Sequence, residues 1–103
     1  MLSQEEQLLT RFFEAARLHD TVVMAKYATV TFNPIAEGVV HNFDVQGIEP
    51  IDDASKRVSV VAELRRPDGQ MARRTLEVTM RRERDRWMIT EVRGGPYRPA
   101  PRD

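Results

Sequence analysis

Apolar side chains recur at helical spacing near the start of the chain and at every second position over much of the rest, and the switch falls close to Thr29. Ser3 and Glu6 stand at capping-box spacing, where a hydroxyl and a carboxylate each satisfy an amide left unpaired at a helix start. Leu8, Leu9, Phe12, Phe13, Ala15 and Ala16 then cover one broad arc of a helix, while Glu5, Arg11, Glu14 and Arg17 fall largely elsewhere. His19-Asp20 interrupts this pattern, and Asp20 is placed to cap a second, shorter helix with Val23, Met24, Tyr27 and Ala28 as its stripe. Two helices are predicted within residues 4–28.

Beyond Thr29, Asn33-Pro34 and Glu37-Gly38 read as turns. A strand over 39–49 places Val39, His41, Phe43 and Val45 on one side, and a loop at 50–54 ends it. Residues 56–66 carry Val58, Val60, Ala62 and Leu64 on one face and run into Pro67-Asp68-Gly69, where Pro fixes φ and Gly accepts a positive φ. Pairing across that turn sets Val58 against Val78, Val60 against Leu76, Leu64 against Ala72 and Ala62 against Arg74, with the second strand over 70–82. A further turn within Arg82–Arg86 leads to a strand over 86–93. Pairing Arg82 with Asp85 keeps the apolar face continuous, with Met80 opposite Trp87, Val78 opposite Ile89 and Leu76 opposite Glu91. The pattern predicts an α+β domain over 1–93, two amino-terminal helices packed on a curved, mainly antiparallel sheet. The Gly- and Pro-rich residues 94–103 predict a flexible tail, with Tyr97 able to dock on an apolar groove.

Composition narrows the function classes. The 103 residues contain no cysteine, which removes disulfides, thiolate nucleophiles and thiolate zinc sites. No run approaches the roughly 18 consecutive apolar residues of a membrane helix. Formal net charge is zero, but residues 1–54 carry three basic and nine acidic side chains while residues 55–103 carry thirteen and seven. An acidic helical layer beside a basic sheet accounts for that split. Nucleic-acid binding is not expected, because acids interleave with the arginines and no aromatic platform runs among them. No cofactor and no metal site is indicated: the two histidines, His19 and His41, are separated, and Asp52-Asp53 reads as a solvated turn.

Candidate chemistry is sparse. His41 shares its strand face with Phe43 and Val45, where an imidazole can act as a base or a ligand contact. The predicted register sets Arg74 on the apolar face diagonal to Glu91. Together with His41 they would form the polar end of a pocket suited to an anionic or hydroxylated ligand, or a pair at the sheet margin. On the other face Val61, Thr75 and Val92 align across three strands, with Thr79 and Met88 two rows away. That partly apolar surface predicts a homodimer interface.

The stretch Phe12-Phe13-Glu14-Ala15-Ala16-Arg17-Leu18-His19-Asp20, continuing to Met24-Ala25-Lys26-Tyr27-Ala28, resembles the opening of small bacterial domains of the nuclear-transport-factor-two-like, cystatin-like superfamily. Ala28 to Pro34, with Gly38-Val39-Val40 and Phe43, is also similar to short uncharacterised acidobacterial proteins often carried as lipoproteins. The resemblance implies a cystatin-like roll, and a cell-envelope location with the signal removed; without it the chain reads as cytoplasmic. The superfamily includes isomerases and dehydratases as well as modules without chemistry. The isomerase branch implies a pocket carboxylate base with tyrosine and acid donors, and Tyr27 and Tyr97 supply no such pair. The expectation is therefore a small nonenzymatic binding or assembly module with a modest pocket between helices and sheet. The alternative is an isomerase- or hydratase-type enzyme using His41 or Glu91 for proton transfer.

Overall fold

The computed structural model describes residues 2–99. Helix α1 spans Gln4–Arg17, and Ser3 and Glu6 form the reciprocal capping box expected of them. Its buried residues are Leu8, Leu9, Phe12, Phe13, Ala15 and Ala16, the arc read from the spacing. Asp20 caps α2 (Thr21–Met24) by accepting from the Val23 amide at 3.0 Å. A third one-turn helix, α3 (Pro34–Glu37), stands where two turns were expected. Asn33 caps it, Pro34 occupies its first turn, and Gly38, at φ 94°, ends it. A Cβ on Gly38 would lie 2.7 Å from the Arg65 carbonyl oxygen, so both conformation and space demand glycine there. No helix among the described residues is long and apolar enough to cross a membrane.

Strands β1 (Val39–Asp52), β2 (Ser55–Arg65), β3 (Met71–Glu83) and β4 (Arg86–Gly94) form an antiparallel sheet in chain order. The β2–β3 pairing is the expected one, with Val58 opposite Val78, Val60 opposite Leu76, Ala62 opposite Arg74 and Leu64 opposite Ala72. These inward residues are all buried and form the core with α1, Met24, Ala28 and Phe32. The rings of Phe12, Phe13, Phe32 and Phe43 pack together, with neighbouring centroids 5.5–6.1 Å apart.

Departures from the expected pattern sit at the margins. β1 continues through Pro50 to Asp52, and a tight turn, with Asp52 accepting from the Ala54 amide, replaces the predicted loop. Its register slips at Val40/Asn42, Val45/Gly47 and Pro50/Asp52. The first slip makes His41 the extra residue of a bulge and leaves it exposed, at the rim of a groove beside α1 that Phe43 also lines. Three irregularities and a proline in an edge strand also interrupt the ladder that a neighbouring chain would need for edge-to-edge pairing.

The second hairpin turns one residue later than expected. Glu83 pairs with Arg86 across Arg84 and Asp85, both at positive φ (51° and 66°), and a further slip falls at Thr79/Met80. Trp87 therefore faces Arg82, Ile89 faces Met80, Glu91 faces Thr79 and Val92 faces Val78. Phe12 is fully buried, whereas Trp87 is half-buried at the edge of the same core. Residues beyond Gly94 are laid along the sheet: β5 (Arg98–Pro99) pairs with Ala72 and Arg73 of β3. The rest of the expected tail, residues 100–103, lies outside the described residues.

Candidate functional site

Arg74 is the buried charged residue of the described chain. Its position on the inward face follows from the β2–β3 register, but its partners come from elsewhere. Nη1 donates to Glu37 Oε2 at 2.7 Å and to the Tyr97 hydroxyl at 3.2 Å, and Nε donates to the Gly95 carbonyl at 3.0 Å. The guanidinium also lies 4.5 Å from the centroid of the Tyr97 ring, whose hydroxyl donates to the Glu37 carbonyl at 2.8 Å. Gly94 makes room for this: a Cβ there would fall 1.9 Å from Arg74 Nη2. One desolvated cation thus fastens α3 and the 95–99 segment to β3.

The expected constellation of His41, Arg74 and Glu91 is not assembled. Glu91, opposite Thr79, projects from the outward face and pairs with Arg93 at 3.2 Å, while Arg74 points inward. The second hairpin's register is the cause: the turn falls one residue later, and the slip at Thr79/Met80 then puts Glu91 on the opposite face from Leu76. His41 lies beside α1, in a shallow groove with Glu14 and Arg17. Among the described residues no three His, Cys, Asp or Glu side chains cluster in a way that could hold a metal ion.

Glu37, Gly94 and Gly95 were not singled out as partners of Arg74. Glu37 is 37 residues from Arg74 in sequence and belongs to a one-turn helix with no periodic signal; the Gly94-Gly95 pair is the one local hint, marking a close backbone approach. A cleft of about 270 Å³ opens between α1, α2 and residues 31–34, with Ala15, Met24 and Phe32 beneath and His19, Thr31 and Asn33 at its rim. His19 holds φ 54°, where its amide and that of Asp20 close the end of α1 on the Ala16 and Ala15 carbonyls.

The outward face of the sheet is more polar than expected. Val61 is half-buried between Asp44 and Thr75, and Thr79 and Met88 also face outward, but Val92 turns inward opposite Val78 and packs on the core. Charged residues dominate the remainder. Arg73 pairs with Glu63 at 2.7 Å, Ser59 donates to Glu77, and Glu49, Arg57, Glu77, Glu91 and Arg93 line a concavity of about 510 Å³.

Helices on one side of an antiparallel sheet make an α+β fold. The chain is similar to the crystal structure of an NTF-2-like protein of unknown function from Shewanella oneidensis MR-1, with a TM-score of 0.60 over 85% of this chain and 93% of that one. The two are 16% identical, so the likeness is one of fold. No protein-family model and no curated protein matches the chain.

Proposed function

We propose that the chain is a small binding or assembly module without chemistry of its own, acting as a homodimer through the outward face of its sheet. The observation that carries this reading is the packing of the interior, where the modest pocket expected between helices and sheet is represented by the cleft of about 270 Å³ beside α2. Four phenylalanine rings occupy the space between helices and sheet, and the cation behind them is engaged by a carboxylate, a hydroxyl and a carbonyl. A group so committed is not free to orient a substrate. The outward face, by contrast, has no helix packed on it among the described residues and offers Val61 among exposed charges of both signs, a composition suited to a polar, salt-sensitive contact. The enzyme alternative has less support, because His41 and Glu91 are both exposed and, among the described residues, neither is hydrogen-bonded to a second acid or base. An envelope location as a lipoprotein rests on the sequence resemblance alone, and fractionating source cells into membrane and soluble pools tests it.

Light scattering across a concentration series tests the association. The expected result is a dimer mass for the unmutated chain and a monomer mass for a Val61→Glu variant that still unfolds cooperatively, because the new carboxylate is stripped of water only in the dimer. A monomer at every concentration for the unmutated chain overturns the reading.

A further inference from the structure

A groove of about 330 Å³ runs between the start of α1 and the start of β4, walled by Leu8, Arg11, Lys26, Tyr27, Arg86 and Trp87. It joins segments far apart in sequence, and the backbone makes the joint. Ile89 donates to the Tyr27 carbonyl at 2.8 Å, Thr29 donates to the Ile89 carbonyl at 2.9 Å, and Arg86 Nη2 donates to the Lys26 carbonyl. Its geometry is therefore set by the same pairing that covers the free edge of β4.

The walls are of two kinds. Tyr27 and Trp87, both half-buried, supply aromatic surface above the buried Leu8. Arg11, Lys26 and Arg86 supply positive charge, and among the described residues none of them forms an ion pair, whereas Lys56, Arg66, Arg73, Arg74 and Arg93 all do. One carboxylate, Asp85, also lines the groove, leaving three positive charges against one negative. The rings already attract cations. The Arg11 guanidinium lies 5.9 Å from the Tyr27 centroid, and the Lys56 ammonium, held by Glu5 at 2.8 Å, lies 3.9 Å from that of Trp87.

We propose that this groove binds a small organic anion carrying a planar ring, with the ring against Tyr27 and Trp87 and the anionic group held by Arg11, Lys26 and Arg86. A ring alone would leave the groove's excess of positive charge uncompensated. A simple inorganic ion would meet that charge in a solvent-open groove, where screened charge contributes little by itself. A ligand joining the two uses both walls at once. Nucleoside monophosphates and aromatic carboxylates share that chemistry. The inference rests on the reading of the chain as a binding module, but not on association through the outward face.

Trp87 is the chain's one tryptophan, so its emission reports on the groove without a label. Full-length protein at low ionic strength is titrated with adenosine monophosphate and, separately, with benzoate, against adenosine and inorganic phosphate as the ring-only and charge-only controls. A saturable change with one of the two ring anions, at least about tenfold tighter than with its control and weakened by added salt, is expected. Saturation by the nucleotide assigns the phosphate class, and saturation by benzoate assigns the carboxylate class. The Arg11→Gln/Lys26→Gln double variant is expected to lose about tenfold or more in affinity at an unchanged unfolding midpoint. Arg86 stays in place because it holds the groove together, and Arg57→Gln on the outward face is expected to bind normally. No saturable change with either anion at millimolar concentration, or equal affinity in the double variant, overturns the proposal. Light scattering on the same samples follows the dimer separately, so a silent groove is distinguishable from failure of the outward-face association.

Discussion

The two hairpins built on β3 hold their registers by different means. Between β2 and β3 the chain turns at Pro67-Asp68-Gly69: Gly69 sits at φ 89°, its amide donates to the Arg66 carbonyl, and the Arg66 amide donates to Gln70, both at 2.8 Å. The ladder then runs from Arg65–Met71 to Ser55–Arg81 without a slip. Between β3 and β4 the turn consists of Arg84 and Asp85, two residues with side chains in the left-handed region, and the ladder slips at Thr79/Met80. A turn whose residues suit their dihedrals announces its register. One that forces arginine and aspartate to positive φ does not. The same strand lies in both, so its inward residues are common to the two hairpins and only their partners differ.

The largest test of this contrast is made where the hairpins meet. Leu76 is fully buried, opposite Val60 on one side and Gly94 on the other. Leu76→Ala is expected to cost about 2–5 kcal/mol, read from denaturant unfolding, because the rigid β2–β3 ladder cannot collapse into the space left. A loss under about 1 kcal/mol would mean that the sheet centre is less tightly packed than the ladder implies. Next in size is Arg74→Met, expected to cost about 1–3 kcal/mol through loss of charge-assisted hydrogen bonds. Hydrogen exchange supplies the sharper reading: the amides of β3 paired to Arg98–Pro99 should lose protection while β2–β3 pairs near Val58 keep theirs.

The turns themselves provide opposite-signed tests. Gly69→Ala places a Cβ at φ 89° and is expected to destabilise by about 1 kcal/mol despite open space around it. Replacing Arg84-Asp85 by Asn-Gly relieves two strained residues and is expected to stabilise by about 1 kcal/mol or more, as a raised urea midpoint at constant m. If the second exchange destabilises, the Arg84–Asp85 turn is not what sets the β3–β4 register.

How much was legible follows from the same physics. The capping box at Ser3, the cap at Asp20, the six buried residues of α1 and the β2–β3 register rest on local chemistry or strict periodicity, and each stands as read. The bulge at His41, the one-turn α3 and the slip at Thr79/Met80 do not. A bulge reverses the phase of a strand without changing its composition, so every inference downstream inherits the error. Val92 passed from the outward face to the core in that way, and Glu91 passed from the partner of Arg74 to the outward face. The outward face then lost part of its expected apolar character, which changes the proposed contact from a greasy patch to one balanced in charge.

The smallest expected effect is the most discriminating, because it asks which carboxylate Arg74 depends on. In the structure Glu37 Oε2 accepts from Arg74 at 2.7 Å, with the guanidinium buried and the carboxylate about 42% exposed. Glu91 touches Arg93 instead, and both are open to solvent. Double-mutant cycles of Arg74→Met with Glu37→Gln and with Glu91→Gln separate the two pairings, since each cycle cancels what a single substitution does elsewhere. A coupling of about 0.5–1 kcal/mol is expected for Arg74 with Glu37, reduced because water reaches one partner. For Arg74 with Glu91 the expected coupling is within about 0.3 kcal/mol of zero, and Glu91→Gln alone should change stability by less than about 0.5 kcal/mol. The reverse ranking would return Glu91 to the inward face and with it a second hairpin without the slip at Thr79/Met80. It would also reopen the interior as a polar pocket, since Arg74 would then no longer be committed to α3 and the 95–99 segment.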